Sequence, residues 1–261
     1  MANVTSKDGT KIAYQRSGTG PSLIVVDGAL CSRAFGPTSK LVPLLSRNFT
    51  VFTYDRRGRN ESGDTAPYSV QREIEDIGAL IEEAGGSAFM VGFSSGAALV
   101  LNAAASGLRV KKMVLYEAPY VRNMGGHNPP ADCEGKLKQV IASGHRGDAV
   151  KFFMKDMVGM PGIVATIMRL MPVWSKLKKV AHTLPYDAAV LEDFTIPVKL
   201  AANVASPVLV MGGAKSPVSL RNAVKELAAV IPGAQLMYLE GQTHNVSMKA
   251  IAPELIQFFK D

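Results

Sequence analysis

The sequence predicts an α/β chain, with a mostly parallel central sheet and helices on both faces. Three observations carry this. Short apolar runs alternate with segments of helical periodicity along most of the 261 residues. The first residues read as a hairpin, which adds an antiparallel edge. A long interval, 122–197, has little strand signal and reads as a helical insertion. The chain is long enough for one large core plus a modest insertion.

The elements follow in order. "VTSKDGTKIAYQRSG" alternates in polarity on both sides of Asp8-Gly9, a favoured turn pair. "SLIVVDG" is a nearly continuous apolar run ended by Gly28, the pattern of a strand covered on both faces. A helix is expected over 33–47, then a strand at "FTVFTYD" and a loop at "RRGRNESGDTAPYS". In "VQREIEDIGALIEEAG", Ile74, Ile77, Leu80 and Ile81 fall at helical spacing, with Gly85-Gly86 as the stop. "AFMVGF" is a strand, "SGAALVLNAAAS" a helix of small residues suited to lie close to a sheet, and "KKMVLYE" the next strand. After the insertion come the strand "SPVLVMG", a helix near 220–229, the strand "AQLMYLEG" and a final helix, "APELIQFFK". The expected division is a core of 1–121 and 198–261, with 122–197 as a helical cap.

That cap is rich in methionine, including Met154, Met157, Met160, Met168 and Met171, and holds the only tryptophan, Trp174. Methionine fills irregular gaps in ordinary cores. The alternative is a lid whose pliable side chains face a ligand, with Met154, Met157 and Trp174 as its substrate wall.

Composition narrows the partners. The formal charge is +7, yet the basic residues are dispersed except for short knots such as Arg56-Arg57 and 176–179. With no zinc spacing, RNA-binding aromatic pattern or basic arm, a solvated basic surface is expected and nucleic acid is not. Cys31 and Cys133 do not make a disulfide framework in a chain of this length. No apolar run suits a membrane span or a signal peptide, so a cytoplasmic protein without membrane association is expected. Without H-E-x-x-H, cysteine–histidine spacing, G-x-G-x-x-G before a helix or a Walker lysine, neither metal nor cofactor is implied.

One junction carries chemistry. Gly92-Phe93-Ser94-Ser95-Gly96 falls where a strand hands over to a helix, and fits the nucleophile elbow G-x-S-x-G. So sharp a turn strains the serine backbone and leaves no space for neighbouring side chains. The serine hydroxyl then stands at a helix N-terminus, where backbone N–H groups favour developing negative charge. The bland alternative is that Ser94 merely caps the helix. A serine also needs a base, and the motif's partners follow in the order serine, acid, histidine. Of the four histidines, His127, His145 and His182 fall in the insertion. His244 sits between the last strand and the last helix, so it is the expected base.

With these pieces in place, the chain resembles the α/β-hydrolase family along nearly its whole length. The resembling segments are "VVDGAL", "YDRRGRNES", "GFSSG", "VLYEAP", "PVLVMGG" and "GQTHNVS". The resemblance implies an α/β-hydrolase fold with an inserted helical cap, and backbone oxyanion donors at Ala29 and Ser95, with Gly28 beside them. The family's oxyanion loop usually begins His-Gly; here it is Asp27-Gly28, which adds a carboxylate next to the substrate position. The family's usual acid position falls in "GGAKSPVS", where Ser216 stands and no Asp or Glu is near. Some members carry the acid after the preceding core strand, where this chain has Glu117. Ordinary pairing of Glu117 with a Lys or Arg is the competing reading. Apolar "MVLY" before it and Pro119 behind it suggest a dry setting, in which a histidine N–H would satisfy the charge.

The combined motifs look most like the zearalenone-hydrolase-type lactone hydrolases, which implies cleavage of an apolar small-molecule ester or lactone by Ser94, His244 and Glu117. Two alternatives stay open. The same scaffold supports cyanohydrin cleavage (hydroxynitrile lyase), perhydrolase or acyltransferase chemistry. The missing acid at Ser216 is compatible with a hydrolase-like protein that binds a small ligand without turning it over.

Overall fold

The computed structural model describes residues 2–261. The polar–apolar alternation of the opening segment forms a hairpin, β1 (Ala2–Thr5) and β2 (Lys11–Ser17). Gly9 takes φ 85° in its turn, and the Asp8 carboxylate accepts the Thr10 N–H at 3.0 Å. Apolar runs then give β3 (Ser22–Val26), β4 (Thr50–Tyr54), β5 (Ala88–Phe93), β6 (Val110–Tyr116), β7 (Val208–Gly213) and β8 (Gln235–Leu239). Among the described residues these make one 8-stranded sheet in the order β1-β2-β4-β3-β5-β6-β7-β8. β1–β2 and β2–β4 pair antiparallel, and every later pair is parallel.

Each face of the sheet has its own apolar layer. Ile24, Val26 and Met90 pack with Ile77, Leu80 and Leu99 on one side; Leu23, Val25 and Val91 pack with Leu41, Leu45, Ile251 and Leu255 on the other. Period-2 alternation thus persists in strands that are apolar on both faces. The first layer is built by α2 (Val70–Glu83) and α3 (Ser95–Ala105), the second by α1 (Thr38–Leu45) and the last helix of the chain. The helix expected over 33–47 covers only α1. The residues before it form a tight loop, with Ser32 and Phe35 bonded to each other and Pro37 at the helix start.

Between β6 and β7 the chain contains no strand among the described residues. It forms α4 (Cys133–Ala142), α5 (Arg146–Phe152), α6 (Gly162–Met168), α7 (Val173–Val180), α8 (Leu184–Leu191) and α9 (Val198–Ala201). A π-helical turn, Phe153–Met157, continues α5. The sheet is completed on its flanks by α10 (Val218–Val230) and α11 (Met248–Lys260). α11 begins a turn earlier than the sequence suggests and contains Pro253 within its run. No described helix is long and apolar enough to cross a membrane.

Candidate active site

The parallel strands end together, and their carboxyl edge collects the candidate site residues. Asp27 and Gly28 follow β3, Ser94 follows β5 and Glu117 follows β6. β3 is hydrogen-bonded to β5, and β5 to β6. The ladder continues past the strand ends: Ser94 N–H donates to the Tyr116 carbonyl and Glu117 N–H to the Met211 carbonyl, each at 2.9 Å. Register alone therefore sets Ser94 and Glu117 side by side.

Ser94 adopts φ 55°, ψ −126°, outside the helical and extended regions, and its side chain makes no capping hydrogen bond. The bland cap reading of this serine is removed by that geometry. The elbow glycines have a steric cause. A Cβ at Gly92 would lie 2.5 Å from the Gly96 carbonyl oxygen, and one at Gly96 would lie 2.4 Å from that of Val26. Gly28 brings the loop after β3 close to Ser94 as well, since a Cβ there would stand 3.0 Å from Ser94 Cβ and 3.7 Å from its Oγ. Neither the Ala29 N–H nor the Ser95 N–H has a hydrogen-bond partner among the described residues.

Glu117 is 0 % exposed and has φ 46°. Its Oε2 accepts from His244 Nδ1 at 2.7 Å, and its Oε1 accepts from Gly213 N–H at 2.7 Å. The two residues are 127 positions apart in sequence. His244 is held by its loop. The Tyr116 hydroxyl donates to the Thr243 carbonyl at 2.7 Å, and Lys215 N–H donates to the Gln242 carbonyl at 2.8 Å. Gly213 makes this approach possible, because a Cβ there would lie 2.5 Å from the Gln242 oxygen. With Nδ1–H committed to Glu117, the neutral ring keeps its lone pair on Nε2. The His244 side chain is 37 % exposed, open enough to meet a substrate.

Ser216 lies buried near the end of β7, and its hydroxyl has no hydrogen-bond partner. Asp27 is also buried and accepts a hydrogen bond from the Thr38 hydroxyl. Burial pushes its carboxyl up to about 6, against the pull of Thr38, Arg59 and Arg56. Met154, Met157 and Trp174 are packed into the apolar interior. Trp174 also borders a surface cleft with Arg146, Arg169, Lys178 and Lys179, and Ser94, His244 and Glu117 are not among the residues lining it. His127 donates to the Asp156 carbonyl at 2.7 Å and His182 lies 3.9 Å from Asp64. No group of three or more His, Cys, Asp or Glu among the described residues is placed to hold a metal ion.

The basic residues of the loop after β4 are buried, not solvated. Arg56, Arg57 and Arg59 are all at most 2 % exposed. Arg57 is held by Asp76 and Asp8, at 2.8 and 2.7 Å. Arg56 spans Glu73 and Asp187, each at 2.7 Å, and Arg59 makes a two-point contact with Asp187 at 2.9 and 2.8 Å. Nor do these arginines stand free to take an anionic substrate, because carboxylates already engage each guanidinium. Burial works to raise Asp187, but the Arg59 and Arg56 charges outweigh it and hold its carboxyl below the usual range. Removing one partner from such a buried set typically costs about 3–5 kcal/mol. The one sequence signal for this network is Asp187 itself, a lone carboxylate within the apolar run "TLPYDAAVL".

Residues 18–253 match a family model described as "Alpha/beta hydrolase family". No curated protein matches the chain. Among solved structures, an alpha/beta hydrolase from Sphaerobacter thermophilus DSM 20745 is 48 % identical, with TM-score 0.93, over 99 % of this chain and 100 % of that one. The enol-lactonase from Burkholderia xenovorans LB400 is 18 % identical, with TM-score 0.75 and both chains fully covered. An esterase from Exiguobacterium antarcticum is 17 % identical, with TM-score 0.74, over 100 % of this chain and 99 % of that one.

Proposed function

The chain belongs to the alpha/beta hydrolase family, and on that premise we propose that it is a serine hydrolase of carboxylic esters or lactones. The observation that carries the proposal is the buried Glu117 carboxylate, 2.7 Å from His244 Nδ1 and just past the end of β6, beside the strained Ser94 at the end of β5. In this reading, Ser94 Oγ attacks the acyl carbon while His244 Nε2 takes the hydroxyl proton. Negative charge passes to the carbonyl oxygen, which the unpartnered N–H groups of Ala29 and Ser95 receive, with Gly28 keeping the loop close. The imidazolium, stabilised by Glu117, gives its proton to the departing alkoxide. Water, deprotonated by the same imidazole, then cleaves the acyl-enzyme and releases the acid. An open-chain ester yields an acid and an alcohol, and a lactone yields one hydroxy acid.

The helices at 122–197 serve as the cap in this proposal and set the substrate range. α6 and the residues after it present Ile163, Ile167 and Leu170 to solvent, the last 88 % exposed, which suits an apolar substrate. Esterase and enol-lactonase neighbours of the same fold are named for this class of chemistry. The Asp27-Gly28 loop and the glutamate acid, features shared with zearalenone-hydrolase-type enzymes, make lactones part of the class to be tested.

Hydrolysis of p-nitrophenyl acetate and a panel of lactones of different ring size tests the proposal, together with labelling by a fluorophosphonate. Ser94→Ala is expected to abolish both turnover and labelling. Turnover that survives the substitution would refute the serine mechanism, and ligand binding without labelling of the native protein would replace the enzyme by a binding protein.

A further inference from the structure

Arg59 is fully enclosed and all three of its guanidinium nitrogens are engaged. Nη2 holds Asp187, and Nε donates to Thr183 Oγ1 at 3.2 Å. Nη1 donates to the Gly28 carbonyl at 2.6 Å and to the Cys31 carbonyl at 3.2 Å. The bond to Gly28 determines the direction of the following N–H. In a trans peptide, C=O and N–H point opposite ways. A guanidinium that fixes the Gly28 oxygen therefore fixes the Ala29 N–H on the opposite side of the peptide, in a loop whose Gly28 lies close against Ser94.

Asp187 reaches the second donor as well. Its Oδ1 accepts from the Ser95 hydroxyl at 2.7 Å and from Arg56 Nη1 at 2.7 Å. Arg56 Nη1 lies 3.3 Å from the same hydroxyl. A single carboxylate on α8, from the segment between β6 and β7, is thus bonded directly to Ser95 and through one arginine to Gly28.

We infer that Arg59 and Asp187 are positioning residues that lock the two oxyanion-binding peptides: Arg59 fixes the Gly28–Ala29 peptide with its N–H toward the substrate oxygen, and Asp187 holds Arg59 and Ser95 together. The inference rests on the acyl-transfer reading of the site. Without the lock, the Gly28–Ala29 peptide is free to turn over and present a carbonyl oxygen to a developing negative charge, which repels it. The device acts on the transition state, because the charge that the N–H groups receive is largely absent from the bound ester.

Arg59→Lys tests it. Lysine keeps the positive charge beside Asp187, but a single ammonium does not reproduce the planar fork that reaches Gly28, Thr183 and both carboxylate oxygens. The expected result is a kcat at least about tenfold lower, toward the roughly 100- to 1,000-fold that follows loss of a whole oxyanion donor. KM should stay within about threefold, and inhibition by phenylboronic acid, whose tetrahedral adduct places an oxygen in the same position, should weaken in step with kcat. A merely structural role would lower the folded fraction without this matched loss. A folded Arg59→Lys protein with native kcat and native boronate affinity overturns the inference. If that variant fails to fold, Ser95→Ala decides by the same measurements, since it removes one hydroxyl and no charge. A native protein that cleaves no ester and takes no fluorophosphonate would sink the parent reading instead. The lock would then be judged by the crystal structure of Arg59→Lys, in which an unturned Gly28–Ala29 peptide refutes it.

Discussion

Replacing Glu117 by glutamine probes the centre of the site with almost no change of volume. The native carboxylate offers an acceptor to each of two N–H groups, His244 Nδ1–H and Gly213 N–H, both at 2.7 Å. Glutamine has one accepting and one donating end. If its oxygen faces Gly213, its NH2 meets the ring, and the imidazole must shift its proton to Nε2, the atom that accepts from Ser94 in the proposed mechanism. If its oxygen faces the ring, two donors confront each other at Gly213, inside a position with no exposure. The first arrangement avoids the buried clash and is the expected one. Wrong-tautomer substitutions in such triads lower kcat by about 10⁴-fold, equivalent to about 5.5 kcal/mol of transition-state stabilisation. The assay is kcat for p-nitrophenyl acetate, with circular dichroism to confirm the fold. KM should move little, because the uncharged ester binds before any proton moves. A folded Glu117→Gln protein with kcat within about tenfold of native would refute the assignment of Glu117 as the orienting acid.

Two further substitutions test the surroundings. Asp27 is raised from 3.8 to about 6 chiefly by burial, so the folded protein retains a proton that the unfolded chain has released between those values. Its contribution is most favourable below the lower value and is lost as pH rises through the upper one. At about 1.4 kcal/mol per tenfold, the penalty approaches about 3 kcal/mol at neutral pH. Asp27→Asn keeps an acceptor for Thr38, so urea melts should show a more stable protein at pH 8 and a flatter stability profile between pH 4 and pH 6; an unchanged profile would contradict the burial argument. Gly96→Ala would push a methyl group to 2.4 Å from the Val26 oxygen and 2.6 Å from that of Asp27, both backbone atoms. A loss of about 3 kcal/mol or more in urea unfolding is expected, with activity falling as the elbow is displaced; a loss under about 0.5 kcal/mol would show that the turn is looser than its contacts imply.

Local pattern determined much of this protein. Period-2 and period-3.6 spacing placed the strands and α2. The Asp8-Gly9 turn announced the antiparallel edge. The two glycines around Ser94 marked a turn in which a Cβ has no room. His244 was legible because it follows the final strand of a sheet whose carboxyl edge gathers polar residues. Helix starts were read less well, as at α1 and α11, because proline and loop packing decide them within a turn or so.

What the sequence left open was which charges are buried and against what. Glu117 and His244 meet across 127 residues, and Arg56 and Arg59 find Asp187 across 131 and 128. A run such as "DRRGR" has the same composition on a wet surface and in a dry interior. Only the folded chain decides, because a buried guanidinium is tolerated where a carboxylate arrives from elsewhere to compensate the water it has lost. Sequence therefore supplied the candidate nucleophile, the candidate base and the sheet that aligns them, and tertiary structure supplied the pairing of opposite charges around them.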